Sequence, residues 1–390
     1  MSADVTVRPL IEDDLHDYQT LRDHSWGFPP GDDGRELLRG RLYNTVGAFD
    51  ARGKLLASAA GPRFETFVAG SSQPLLGIAA VQTAPTARRR GLAAQLLARL
   101  LADGRDAGIG WSLLYPFDPR YYARLGWQSL PCAVRLAVST RWWGRPEPPD
   151  AEQVKGDLRA EFQALHLRCA SLWNFSNART EGPWDVWAGL LPPPGERGAA
   201  YRVEDGYAVV RLRQEDPQII TLEVLAALWC SARGRRAVLA LLGTYQGQVQ
   251  RIELEVPADD ALAWDWEDWW RTPTQSTRMV RVVDLQSAFA GLDPAADMPA
   301  LTLRVRDSLA PWNDGTWRLS PAGDGCRVEP SVDLPDAELD VRALPLLLGG
   351  GATPDAVVRA GLAEGSRAAL SALASLSGGF TPYHSLRDRF

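Results

Sequence analysis

The stretch Val81-Gln82-Thr83-Ala84-Pro85-Thr86-Ala87-Arg88-Arg89-Arg90-Gly91-Leu92-Ala93-Ala94 decides how the chain is read. The apolar run Leu75 to Val81 leads into it as a buried strand and is broken at Pro85. After the arginines and Gly91, Leu92, Leu96, Leu97, Leu100 and Leu101 fall on one face of a helix. A strand that feeds a helix through a short basic turn makes an anion site. The first helical N–H groups lack internal partners, and the helix dipole favours negative charge there. Gly91 lets a ligand approach the backbone, and arginine adds charge-assisted bonds to phosphate.

Composition sets the class. A chain of 390 residues is too long for one compact core, so two or three domains are expected. Apolar residues make up 45% and charged residues 23%, as in a soluble globular protein. A net charge of −6 argues against a general nucleic-acid binder. No signal-peptide pattern opens the chain and no apolar run approaches membrane-spanning length, so no membrane role and a cytoplasmic location are expected. Cys132, Cys169, Cys230 and Cys326 are scattered without zinc or disulfide spacing. His16, His24, His166 and His384 show no ligand spacing either, so no metal is expected.

Around the central turn, Val5 and Val7 begin a first strand and a helix follows from Glu12 to His24. Trp26-Gly27-Phe28-Pro29-Pro30 is an aromatic loop beside the basic turn, where Trp26 and Phe28 are placed to wall a substrate cleft. Strands occupy Tyr43 to Val68 and Trp111 to Tyr115, and a short helix over Asp118 to Trp127 closes with a glycine cap. Alternating strands and helices give an α/β layer architecture. A Pro-rich break at 144–150 ends this unit. The middle region mixes a helix from Gly156 to Ser171, strands at Tyr207–Leu212 and Ile219–Leu225, a helix from Ala227 to Leu241 and a strand at Arg251–Val256. Trp264, Trp266, Trp269 and Trp270 crowd its end and read as packing core. From Met279 a strand, a helix at Leu285–Leu292, four further strands and two helices flanking Gly349-Gly350-Gly351 resemble a sterol carrier fold.

Arg88-x-x-Gly91-x-Ala93 matches the pyrophosphate-loop pattern of the GNAT acetyltransferases. With Tyr122-x-Arg124-x-Gly126-Trp127, the sterol-carrier-like tail and the terminal Phe390, the whole chain resembles the enhanced-intracellular-survival (Eis) N-acetyltransferases. The resemblance implies a mixed α/β chain with a catalytic GNAT domain over 1–145, a second GNAT-like domain without the cofactor loop over 146–278, and a sterol-carrier-like domain over 279–390. It implies acetyl transfer from acetyl-CoA to amines, including aminoglycosides and protein lysines, and assembly as a homohexamer. It places cofactor contacts at Val81, Gln82, Thr83, Arg88, Arg89, Arg90, Gly91, Leu92, Ala93, Ala94, Phe117 and Asp118. The residues alone leave Tyr121 and Tyr122 open as proton donor. The family register assigns the general acid to Tyr122 and the general base to the carboxylate of Phe390. A lipid carrier, or a cationic-ligand binder on a degenerate GNAT scaffold, is the alternative function.

Overall fold

The computed structural model describes residues 5–27, 44–140, 150–155, 157–180, 198–216, 219–263, 274–323, 325–385 and 388. Trp264, Trp266, Trp269 and Trp270, and the expected break at 144–149, lie outside them. The strands are β1 (Thr6–Pro9), β2 (Thr45–Phe49), β3 (Leu55–Ala60), β4 (Arg63–Val68), β5 (Ser71–Thr83), β6 (Trp111–Leu114), β7 (Gln128–Ser139), β8 (Ala151–Val154), β9 (Gly198–Val203), β10 (Gly206–Asp216), β11 (Ile219–Trp229), β12 (Arg251–Val256), β13 (Thr274–Val282), β14 (Leu301–Arg306), β15 (Gly315–Ala322), β16 (Gly325–Pro330), β17 (Ala337–Asp340) and β18 (Ala363–Gly365). The helices are α1 (Leu15–Trp26), α2 (Leu92–Asp106), α3 (Pro119–Ala123), α4 (Leu158–Ala170), α5 (Ala232–Gly243), α6 (Leu285–Ala290), α7 (Ala343–Leu348), α8 (Pro354–Arg359) and α9 (Arg367–Ser375).

Among the described residues, thirteen strands form one sheet, in the order β1-β2-β3-β5-β6-β13-β7-β12-β11-β10-β9-β8, with β4 on β5. The other five form a second sheet, β16-β15-β14-β17-β18. This is the mixed α/β architecture expected, with two strand–helix units joined edge to edge and a third unit packed on them. The leucine stripe of α2 is buried as its spacing predicts. Leu92, Leu96, Leu97, Leu100 and Leu101 pack on Leu76, Ile78, Leu114 and Val283. Burial of each leucine side chain contributes about 1.5–3 kcal/mol.

Two expectations meet tertiary overrides. Ala227, Leu228 and Trp229 are strong helix formers on paper, yet they extend β11. Antiparallel pairing with β10 (Ala208 with Ala227, Tyr207 with Leu228) holds them extended. The helix begins only at Ala232, where the Ser231 hydroxyl accepts the Gly234 N–H. The second concerns Val280 and Val282. The strand they belong to, β13, pairs antiparallel with β6 on one side and β7 on the other, inside the large sheet. It runs across the expected boundary between 278 and 279.

Because β13 lies in that slot, its side chains reach the third unit directly. Arg281 is completely buried, and its guanidinium bonds Asp307, the Leu125 carbonyl and the Val282 carbonyl, 4.9 Å from the Trp127 ring. Burial pulls its pKa down, against the opposing pull of Asp307. Asp307 also accepts from the backbone N–H groups of Leu309 and Ala310. Among the described residues no helix is long and apolar enough to cross a membrane. Breaking one partner of a buried ion pair strands the other charge and costs about 3–5 kcal/mol. Asp307→Ala is therefore expected to lower the calorimetric unfolding temperature by the equivalent of that energy. A change within about 0.5 kcal/mol, the range of a surface substitution, would show that the pair does not hold the third unit in place.

Candidate active site

Strand divergence makes the site. β5 and β6 run parallel and pair from Leu75 with Trp111 to Ile78 with Leu114, where the pairing stops. Beyond that point β5 continues to Thr83 along β3, with an irregular register between Ser58 and Ala60. Ala80 sits there in the left-handed region at φ +47°. A bulge bends a strand and re-aims it, which splits β5 from β6 at their C-terminal ends. The chain then turns through Pro85–Ala87 and Arg89, at φ +61°, to Gly91, at φ +76°, the N-cap of α2. No side chain caps this helix end. A Cβ built on Gly91 would meet nothing within 4 Å, so the space over the turn is open.

A cavity of about 550 Å³ lies along this turn. Val81, Gln82, Thr83, Arg88, Arg89, Gly91, Leu92, Ala93, Phe117 and Trp26 line it. Ser25, Ala87 and Tyr121 complete the lining. Gln82 is buried and fixes the wall. Its amide donates to Ser58 Oγ at 2.9 Å and accepts from the Trp26 indole N–H at 3.2 Å. Phe117 is 63% exposed and stacks on Tyr121 with ring centroids 5.8 Å apart. The carboxylate of Asp118 accepts the Arg120 N–H at 2.9 Å and so caps α3. Arg90 and Ala94 flank the turn outside the lining. Phe28 and Phe390 lie outside the described residues.

The two tyrosines of α3 are placed differently. Tyr121 faces the cavity. Tyr122 is 3% exposed and packs edge-on against Phe117 (5.3 Å), Tyr121 (5.2 Å) and Trp127 (6.1 Å). Burial pushes both phenols above their usual pKa, so both are protonated donors near neutrality.

Tyr383, His384, Ser385 and Asp388 are tied to the large sheet and to residues 174–179. Tyr115, immediately after β6, donates its hydroxyl to the Ser385 carbonyl at 3.3 Å. Arg278 of β13, completely buried, donates to the His384 carbonyl at 2.5 Å. His384 Nδ1 meets the Phe175 carbonyl at 2.7 Å. Arg179 grips Asp388 with two bonds, 2.7 and 3.1 Å, and donates to the Tyr207 hydroxyl, which meets His166 Nδ1 at 2.8 Å. The sequence offered His166 and His384 as structural or surface residues, and both are buried structural anchors. Arg179 and Asp388 gave no signal in the sequence, since 209 residues separate them.

Known proteins share this architecture. Residues 6–130 match an acetyltransferase (GNAT) domain family, residues 176–282 a second one, and residues 285–385 a sterol carrier protein domain family. An uncharacterized N-acetyltransferase of Streptomyces coelicolor is 27% identical over 382 residues, 91% of each chain. One from Streptomyces avermitilis is 25% identical over 88% of this chain and 90% of its own. Among solved structures, Eis1 from Mycobacterium abscessus is 25% identical with a TM-score of 0.79, covering 99% of this chain and 100% of its own. A GCN5-related N-acetyltransferase from Anabaena variabilis superposes with a TM-score of 0.85 at 21% identity, over 99% and 100%.

Burial holds His166 down to about 3 and His384 down to about 4, so both are neutral in the folded chain at ordinary pH. In the unfolded chain each takes up a proton near pH 6.5. Below that value the unfolded state binds more protons, and stability falls as pH falls, by about 1.4 kcal/mol per pH unit for each histidine. The loss extends down to the folded pKa of each. His384→Asn is expected to reduce the slope of unfolding free energy against pH between pH 6 and 4 by about one proton. Identical slopes in the two proteins would contradict the assignment.

Proposed function

The chain belongs to the GNAT N-acetyltransferases, and on that premise we propose that it carries acetyl from acetyl-CoA to a primary amine of the aminoglycoside, polyamine or lysine type. Transfer is direct, within a ternary complex. The observation that carries this reading is a cavity that joins the basic turn to Tyr121 and Phe117 at the end of the diverging strands. The pyrophosphate of the donor sits on Arg88, Arg89 and the amides that open α2, with Arg90 adding charge from the rim. The pantetheine arm runs along Val81 to Thr83, whose backbone groups pair with it as a sheet edge pairs with a peptide.

The amine attacks the thioester carbonyl only when neutral, and its pKa is about 10.4. A base must take its proton, and backbone N–H groups of β5 hold the oxyanion that forms. The C–S bond then breaks, and the thiolate leaves protonated by a phenol. We assign that donor to Tyr122 and the proton acceptor to the Phe390 carboxylate. Support for the latter is the anchoring of Ser385 by Tyr115, next to the end of β6, and of Asp388 by Arg179. In this scheme the first unit performs the chemistry, the second lacks a cofactor turn, and the third brings the tail. The assembly is a cytoplasmic homohexamer.

Tyr121 is the second reading for the acid, favoured by its place in the cavity wall. Thiol release from acetyl-CoA, measured against polyamines, aminoglycosides and lysine peptides, tests the function. At least one amine class is expected to stimulate release, and stimulation by none would overturn the proposal. Tyr122→Phe is expected to lose about 10²–10⁴-fold in kcat with acetyl-CoA affinity retained, while Tyr121→Phe keeps most of its turnover. The opposite pattern assigns the acid to Tyr121.

A further inference from the structure

Cys169 and Cys230 are 61 positions apart in sequence, and the fold of the second unit brings their thiols together. Cys169 lies in the last turn of α4, and Cys230 stands between β11 and the Ser231 cap of α5. Both Sγ atoms approach one acceptor, the carbonyl oxygen of Asp205, at 3.8 and 3.6 Å. After burial, Cys230 is the neighbour that does most to raise the Cys169 pKa. Asp205 is held in a left-handed turn at φ +57°, with its carboxylate bonded to Arg168 and Ser231. The Arg168 Nε–H points at Cys230 Sγ at 3.3 Å. Cys230 is partly exposed, whereas Cys169 is fully buried.

We propose that this pair is a hydroperoxide-reactive dithiol that closes to an intramolecular disulfide. The two sulfurs have different roles. The Arg168 guanidinium and the start of α5 stand beside Cys230, and its partial exposure admits the oxidant. Cys169, kept protonated by burial, waits as the resolving thiol. The Cys230 thiolate attacks the outer oxygen of ROOH, the O–O bond breaks, and the alkoxide leaves as ROH after taking a proton. Cys230 is then a sulfenic acid. The Cys169 sulfur attacks it, the S–O bond breaks, and the hydroxide departs with the thiol proton as water. Two thiols and ROOH thus give a disulfide, ROH and water, a two-electron oxidation of the sulfur pair. The bridge staples α4 to the start of α5. The inference is independent of the transferase reading, since neither cysteine lies in the cavity described above.

Cys132 and Cys326 are internal references, because burial holds their thiols up to about 12 and about 11. The full reduced chain is treated with a few equivalents of hydrogen peroxide, alkylated and mapped by mass spectrometry. A loss of two hydrogens, a Cys169–Cys230 cross-linked peptide and reversal by dithiothreitol are expected. Cys230 is consumed at least about tenfold faster than Cys132 or Cys326. In Cys169→Ser the sulfenic acid at Cys230 persists and is trapped by dimedone. In Cys230→Ser the remaining thiols react no faster than the references. A bridge to another cysteine, or Cys230 reacting no faster than the buried pair, overturns the proposal.

Discussion

Two completely buried arginines on one strand, Arg278 and Arg281 of β13, are the constraint on which the rest depends. Neither guanidinium can be left unpaired without a cost of several kcal/mol. The surroundings must therefore deliver oxygen atoms to both. Arg278 takes the carbonyl of His384 from the tail, and Arg281 takes Asp307 from the third unit and Leu125 from the loop after α3. Since β13 lies between β6 and β7, these bonds fix the tail and the carrier-like unit to the strand beside the cleft. The apolar core agrees, running without a break from Trp111, Leu113 and Val280 into Leu301, Leu339 and Leu344. Three sequence units thus behave as one packed body.

The cleft follows from a second constraint, the limit of parallel pairing at Ile78 and Leu114. Beyond it, two strands that would otherwise bond each other leave room between them, and the residues after each strand face that room. The basic turn supplies positive charge and free backbone donors on one side. The aromatic residues after β6 supply an apolar, proton-donating wall on the other. Trp26, braced by Gln82, closes the side nearest α1. Charge at one end and protonated phenols at the other suit a ligand with an anionic handle and a reactive far end.

What the sequence disclosed and what it hid divide along one line. The α2 stripe, the arginine turn and the Gly126 cap are local patterns, where period, charge and positive φ are written in neighbouring residues. Nine of the thirteen residues that line the cavity belong to the stretch from Val81 to Ala94. Non-local relations were hidden. β13 reads as the start of a third unit because its alternation is the same whichever sheet it joins. Ala227 to Trp229 read as helix because propensity carries no trace of the partner strand. Arg179 and Asp388 look like two more surface charges until the fold places them face to face, and the two thiols near Asp205 look unrelated for the same reason.

A crystal structure of the chain with acetyl-CoA tests the central claim most directly. The account predicts pyrophosphate oxygens on the amides of Gly91 to Ala93 and the guanidiniums of Arg88 and Arg89. The pantetheine should lie along Val81 to Thr83, with the thioester sulfur beside a hydroxyl of α3. Density for the donor in the second unit or the carrier-like unit, with the turn at Gly91 left empty, would contradict it.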